Sequence, residues 1–247
     1  MTHLDCRIHA DREALSRAAA ERVTALCRQA ASARGTCHLA LAGGSTPRQL
    51  YTLLAEPDWS RQLPWPALQI YFGDERAVPP DHPDSNYGMA RSAWLACAPL
   101  TAGQIHPMAA DPGRIDLDAA DYAALLERRL PRNEAGVPVF DLILLGLGAD
   151  GHTASLFPDT PVLDERTHWV APVYPGPGEH WRLTLTLPVL EAARHLLFLV
   201  AGADKAGAVA RVLGTPAGAD PLPAQRIKAQ GRVEWYLDAQ AAGGLQA

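Results

Sequence analysis

Cysteine is scarce in this 247-residue chain: Cys6, Cys27, Cys37 and Cys97 are scattered, with no C-x-x-C spacing. That excludes a disulfide framework or a zinc knuckle and points to reduced thiols in a cytosolic setting. Positive charge is in deficit as well. Twenty-two Lys and Arg stand against 27 Asp and Glu, a net charge of -5. Nucleic acid and anionic membranes call for a concentrated basic face, so neither is expected as a partner. A small anionic substrate needs only two or three local cations and stays open. Long hydrophobic runs are missing: the longest, residues 196–203, is far short of the roughly 20 residues of a membrane span. The first seven residues lack the charged-then-apolar pattern of a signal peptide. A cytoplasmic protein is expected.

What is present is an ordinary globular composition, with 48% hydrophobic and 20% charged residues. The length fits one large α/β domain or two small ones, and we read residues 1–247 as a single domain. Leu15, Ala19, Val23, Leu26 and Ala30 form a helical apolar stripe, with Asp11 as its N-cap and Gly35 just beyond its end. Residues 37–42 read as a strand punctuated by Gly43-Gly44. A helix is expected from Pro47, capped by Thr46 or Ser45. Residues 68–72 form the next strand, and residues 117–130 a helix capped by Asp116. Residues 140–145 are the clearest buried strand, stopped by Gly146-Leu147-Gly148. The alternation in 182–187 predicts a half-exposed strand. Residues 195–201 read as a buried strand feeding a helix over 205–213, and 232–237 as a final strand. The Pro/Gly-rich stretches 157–178 and 214–223 read as loops. Strand, Gly loop and helix in repetition describe a mostly parallel sheet covered by helices. In such sheets ligands bind outside the carboxyl ends of the strands, so the residues after strands carry the information.

Four such places stand out. Ala42-Gly43-Gly44-Ser45-Thr46-Pro47 joins a strand to a helix; its glycines, hydroxyls and helix N-terminus suit a phosphate, and equally suit a capped turn without a ligand. It is neither a Walker loop nor a G-x-S-x-G nucleophile elbow. Gly73-Asp74-Glu75-Arg76 is either a solvated salt-bridging loop or a site in which Arg76 forks onto phosphate oxygens, with Asp74 or Glu75 holding it or meeting substrate hydroxyls. Gly146-Leu147-Gly148-Ala149-Asp150-Gly151-His152 places His152 at a Gly-rich turn. A histidine there suits a general base, with Asp150 to orient it; the alternative is a helix cap. No second His or Cys lies at metal-ligand spacing around it. Arg182 and Lys205 are surface cations or further phosphate ligands.

In this order, with Val78-Pro79-Pro80, Ser85-Asn86-Tyr87, Arg182-Leu183-Thr184 and Gly202 to Lys205, these blocks resemble the 6-phosphogluconolactonase branch of the glucosamine-6-phosphate isomerase/deaminase superfamily. The resemblance spans most of the chain, and the stretch 146–158 is its most specific part. It implies a Rossmann-like α/β fold with helices on both faces of the sheet. It also implies hydrolysis of 6-phospho-D-glucono-1,5-lactone in the oxidative pentose phosphate pathway, without metal or organic cofactor, by a monomer or small homo-oligomer. It casts His152 as general base. Gly43, Gly44, Ser45, Thr46, Arg76 and Lys205 become the phosphate cradle with help from Arg182, and Asp74 and Asp150 site-shaping acids. Two other readings differ at identifiable places. A deaminase would continue the histidine loop as Gly-His-Ile-Ala-Phe-Asn-Glu-Pro, where this chain has Gly151-His152-Thr153-Ala154-Ser155-Leu156-Phe157-Pro158 and no Glu. A non-catalytic sugar-phosphate sensor would keep the cradle, dispense with His152 and carry a DNA-binding segment.

Overall fold

The computed structural model describes residues 5–214, 218 and 220–245. The first four residues, and part of the stretch 214–223 expected to be a loop, lie outside them. Six strands form one sheet: β1 (Asp5–His9), β2 (Cys37–Leu41), β3 (Leu68–Phe72), β5 (Leu142–Leu145), β8 (His195–Val200) and β9 (Arg232–Asp238). Their order is β1-β9-β8-β5-β2-β3, and every neighbouring pair is parallel. Three short strands, β4 (Asp74–Arg76), β6 (Val170–Val173) and β7 (Arg182–Leu185), make a second, antiparallel sheet in the order β4-β7-β6. The helices are α1 (Arg12–Arg34), α2 (Ser45–Ala55), α3 (Pro57–Ser60), α4 (Asn86–Ala90), α5 (Ile115–Arg129), α6 (Leu187–Ala192) and α7 (Ala206–Gly214).

Every residue of β2 and β5 is buried, as are the last five of β8. Successive side chains on a strand point to opposite faces, so both faces of the central strands are covered. This is the mostly parallel, two-sided α/β fold that the strand–loop–helix pattern predicts. One hydrophobic cluster takes in Leu15 and Val23 of α1, Leu39, Phe72, Leu144 and Phe198 of the sheet, and Trp235 of β9. Helix α1 begins and ends where its sequence says. The Asp11 carboxylate accepts the Ala14 N–H at 2.8 Å, and Gly35 closes the helix in the left-handed region at φ 76°. The four cysteines are free thiols.

Several expectations are corrected. Helix α2 starts at Ser45, not Pro47, and its N-cap is Gly44 at φ 101°, a conformation closed to Ser or Thr. Ser45 and Thr46 therefore occupy the first turn and cap nothing. Helix α5 starts at Ile115 behind Arg114, and Asp116 is not its cap. A nearby acid acts on the loop instead, since Asp118 accepts the Asp111 N–H at 2.8 Å and pairs with Arg114 at 2.7 Å. Strand β7 is not half-exposed: Thr184 and Thr186 are both 0% exposed. Their hydroxyls are occupied inside the protein, Thr184 receiving the Ser155 N–H and Thr186 donating to the His168 carbonyl. The stretch 157–178, read as a loop, contains β6. Lys205 closes a 3₁₀ turn (Ala203–Lys205) that precedes α7 rather than opening the helix.

From β2 the chain moves to β3 on one side, then to β5 on the other. The β2–β5 junction is thus the topological switch point, where the loops after the two strands part and leave a crevice at their carboxyl ends.

Candidate active site

The crevice at the switch point is a cleft of about 350 Å³, a volume suited to a small ligand. It is built from the carboxyl ends of the strands. Gly43 to Pro47 follow β2, Gly73 and Asp74 follow β3, Gly146 to Thr153 follow β5, and Lys205 follows β8. Arg182 reaches in from β7 and Arg76 from β4. Of the residues picked out from the sequence, Gly43, Gly44, Ser45, Thr46, Asp74, Arg76, His152, Arg182 and Lys205 all line it; Asp150 stands behind His152. Four cations (Arg12, Arg76, Arg182, Lys205) face two acids (Asp74, Asp204). A chain of net negative charge has thus a cationic crevice.

The cradle side is formed by backbone as much as by side chains. Helix α2 makes its first intrahelical bond from Arg48 N–H to the Gly44 carbonyl at 3.1 Å. The N–H groups of Ser45 and Thr46 are left without helical partners at the positive end of the helix dipole. Pro47 costs nothing there, because its missing N–H would be an orphan too. Gly43 is required by packing: a Cβ on it would collide with the Asn86 carboxamide. Asn86 in turn donates to the Asp74 carbonyl at 2.9 Å and reaches the Asp74 carboxylate at 3.4 Å. Ser155 Oγ donates to the other Asp74 oxygen at 2.7 Å. Asp74 is accordingly fixed, 7% exposed, against the cleft wall.

Glu75 serves the loop and not the cleft. Its carboxylate accepts the backbone N–H groups of Arg76, Asn86 and Tyr87 and the Ser85 hydroxyl. Burial raises its pKa, and those N–H bonds oppose the rise. Arg76, freed from its neighbouring acids, donates to the Asp84 carbonyl at 2.5 Å. Arg182 pairs with Glu179 at 2.9 Å and lies 4.9 Å over the Phe157 ring. The Nε–H of both arginines is buried. Buried donors demand an acceptor, and neither arginine Nε–H has one among the described residues. Lys205 is 3.2 Å from Asp204.

His152 is held from within its own turn. Its Nδ1 lies 2.6 Å from Asp150 Oδ1, and its N–H donates to the same oxygen at 3.1 Å. Burial pushes the Asp150 carboxyl up, but the His152 N–H and ring outweigh it and the carboxyl sits below its ordinary value. An ionised carboxylate only accepts, so Nδ1 is the ring nitrogen that donates to Asp150, and in a neutral ring that leaves the lone pair on Nε2. The loop is not a helix cap. It turns through Gly148 N–H to the His152 carbonyl at 2.8 Å, with Gly151 at φ 84° and Ala154 at φ 48°. A Cβ on Gly148 would strike the imidazole and the Asp150 carboxylate. Phe157 packs on the imidazole with ring centroids 4.3 Å apart. No group of three potential metal ligands among the described residues includes His152.

Sequence reasoning passed over Arg12 in the cleft, the Asn86 and Ser155 contacts to Asp74, and Phe157 on the histidine. Arg12 follows β1 as Lys205 follows β8, so recognising β1 as a strand would have exposed it.

A family profile described as glucosamine-6-phosphate isomerases/6-phosphogluconolactonase matches residues 10–235. Among curated relatives, a 6-phosphogluconolactonase of Synechocystis sp. is 43% identical, covering 91% of this chain and 91% of its own length. One of Streptomyces coelicolor is 38% identical over 96% of this chain and 93% of its own. The 6-phosphogluconolactonase of Trypanosoma brucei, whose three-dimensional structure is solved, superposes with a TM-score of 0.90 at 30% identity over the whole of both chains. A monomeric glucosamine-6-phosphate deaminase, 21% identical, shares the fold with a TM-score of 0.81 over 98% of this chain and all of its own. By profile, sequence and architecture together, the chain belongs to the glucosamine-6-phosphate isomerase/6-phosphogluconolactonase family.

Proposed function

We propose that the protein hydrolyses 6-phospho-D-glucono-1,5-lactone to 6-phospho-D-gluconate. The observation that carries the reading is the histidine turn. His152 is backed by Asp150 on Nδ1 and packed against by the tilted Phe157 ring, beside a cleft with two arginine Nε–H donors in need of an acceptor. The names of the curated relatives support the same reaction.

A lactone is an activated internal ester, so the barrier to water attack is modest. The substrate phosphate binds Arg76, Arg182, Lys205 and the first turn of α2, and this remote binding holds C1 beside His152. His152 Nε2 takes a proton from water as the oxygen adds to C1. The tetrahedral oxyanion rests on backbone N–H groups of a glycine loop. The ring oxygen then leaves as the C1–O bond breaks, and the proton returns to it from His152. Asp150 keeps the imidazole in the productive tautomer and stabilises the transient imidazolium; Asp74 shapes the wall that meets the sugar hydroxyls.

Phe157 favours this reaction over amino-sugar deamination. It occupies the position where the deaminase loop has the glutamate that assists ring opening, and its ring packs against the imidazole instead. The test is direct: purified protein is given enzymatically generated 6-phosphogluconolactone and, separately, glucosamine 6-phosphate. Accelerated lactone loss above the spontaneous rate, without ammonia release, is expected. Ammonia release at a comparable rate would overturn the reading.

A further inference from the structure

Outside the cleft, three potential metal ligands meet that are far apart in sequence. His82 and Asp84 lie on the proline-stiffened loop after β4, and His180 lies just before β7, 96 residues beyond Asp84. Asp84 Oδ2 is 3.3 Å from His180 Nε2 and 3.8 Å from His82 Nδ1, and one ligand atom from each residue falls within 4.8 Å of the others. The two imidazoles stand edge to face, their centroids 5.5 Å apart. A tetrahedral ion with arms of about 2.1 Å sets its ligand atoms roughly 3.4 Å apart. The three groups are therefore already close to coordination distance, and only short side-chain adjustments separate them from it. All three are open to solvent, with side chains 38%, 54% and 44% exposed, so an ion has a path in.

We infer that His82, Asp84 and His180 form a binding site for a divalent ion of the zinc class, with water as the fourth ligand. Two imidazoles and one carboxylate select zinc-like ions over magnesium or calcium, which prefer sets made wholly of oxygen. On binding, His82 Nδ1 gives up the Asp84 N–H that it now accepts at 3.1 Å. The site is separate from the chemistry proposed for His152. What it joins is the pair of loops that support the cleft arginines: the Asp84 carbonyl holds the Arg76 guanidinium, and the Ala77 N–H donates to the Trp181 carbonyl at 2.7 Å, next to Arg182. An ion here pins the two loops to each other at their tips, beyond the point where backbone pairing between β4 and β7 stops.

The experiment titrates tag-free protein with Zn2+ against a chromophoric chelator and with Co2+ followed by visible absorption. The parent protein, His82→Gln and His180→Gln are compared. One ion per chain, bound at about 100 µM free Zn2+ or below and weakened about tenfold or more in each variant, is the expected result. Co2+ should give the intense d–d bands of a four-coordinate site in the parent only. Hydrogen exchange should slow on Zn2+ addition in residues 79–86 and 174–182 of the parent alone. Absence of binding, or binding and spectra unchanged in both variants, would overturn the assignment. Both substitutions fall on exposed side chains, so the variants are expected to fold as the parent does.

Discussion

The acid that orients His152 comes from two residues away, not from across the fold, so the pair is set by one turn. Its chemistry is accordingly separable from the phosphate cradle. Replacing His152 with Gln keeps a group that can hold water but cannot take its proton. The expected result is a fall in kcat of about 10²–10⁴-fold with little change in thermal stability, measured after subtraction of spontaneous hydrolysis. Near-parental kcat would transfer the role of base to another group, with Asp74 the first to examine. The cradle responds differently. If Arg76 and Lys205 bind the phosphate as proposed, Arg76→Ala and Lys205→Ala each remove charge-assisted bonds worth about 1.5–3 kcal/mol. They should raise KM for the phosphorylated lactone, and lower kcat as far as the phosphate positions C1. On unphosphorylated gluconolactone, a poor substrate for the parent, the same variants should lose little more. Equal losses on both substrates would mean the two cations act on structure or on the reacting centre.

At the scale of loops and elements, two glycines make a matched pair. A methyl group at Gly148 would meet the His152 ring, whereas one at Gly231 would meet the Ala193 and Arg194 carbonyls where β9 begins. Gly148→Ala should lower kcat by about 10–100-fold through displacement of the base while largely sparing the melting temperature. Gly231→Ala should do the reverse, costing about 1–3 kcal/mol of stability as an overpacked site with kcat retained. Measuring both properties on both variants separates site from scaffold. The elements that sequence made legible are those with local signals: the α1 stripe with its Asp11 and Gly35 ends, the buried runs of β3, β5 and β8, and the glycine loops that follow strands. Those it hid depend on partners far along the chain. Strand β1 is five residues of mixed polarity, none of them buried, and it is defined as a strand only by its pairing with β9. The Thr184–Thr186 alternation looked solvated because a threonine hydroxyl paired with a distant carbonyl cannot be told from one paired with water. The start of α2 was misplaced because Gly44, by adopting φ 101°, took the capping position that its neighbours' side chains advertised. Within the site, the glycines, Arg76 and Lys205 were visible because they follow buried strands; Arg12 was not, because β1 was not read as a strand, and Asn86 and Ser155 were not, because their importance lies in what they hold.

Across the whole molecule, acid is the predicted weakness. Burial, with Arg129 and His38 nearby, brings His106 down to about 4, and its ring bonds Gln69 at 2.9 Å. Its neutral form is thus favoured in the fold. The associated stability is complete above the unfolded value of about 6.5 and is lost as pH falls toward 4. Glu234, wholly buried, would be raised by burial, but His195 and Arg22 bring it down to about 2. Its contribution is complete above about 4.5 and lost as pH falls toward 2. Urea unfolding between pH 8 and 3 should therefore show stability declining in two stages, the first beginning below about pH 6.5. His106→Gln should reduce the first stage, which His38 and His9 share because burial lowers them too, and leave the second; an unchanged first stage would remove His106 from the account. The sheet order has a further consequence, for the time course of synthesis. Among the described residues strand β1 has β9 as its sole neighbour, and their registered pairs, such as Asp5 with Glu234, are separated by nearly the full chain. A ribosome releases β1 first and β9 last. The central strands β2, β3, β5 and β8 can assemble as they emerge, while β1 must wait unpaired until the final strand arrives. Strand β9 is then received on both edges in one closing step, so truncation a few residues before it would leave two strand edges open rather than one.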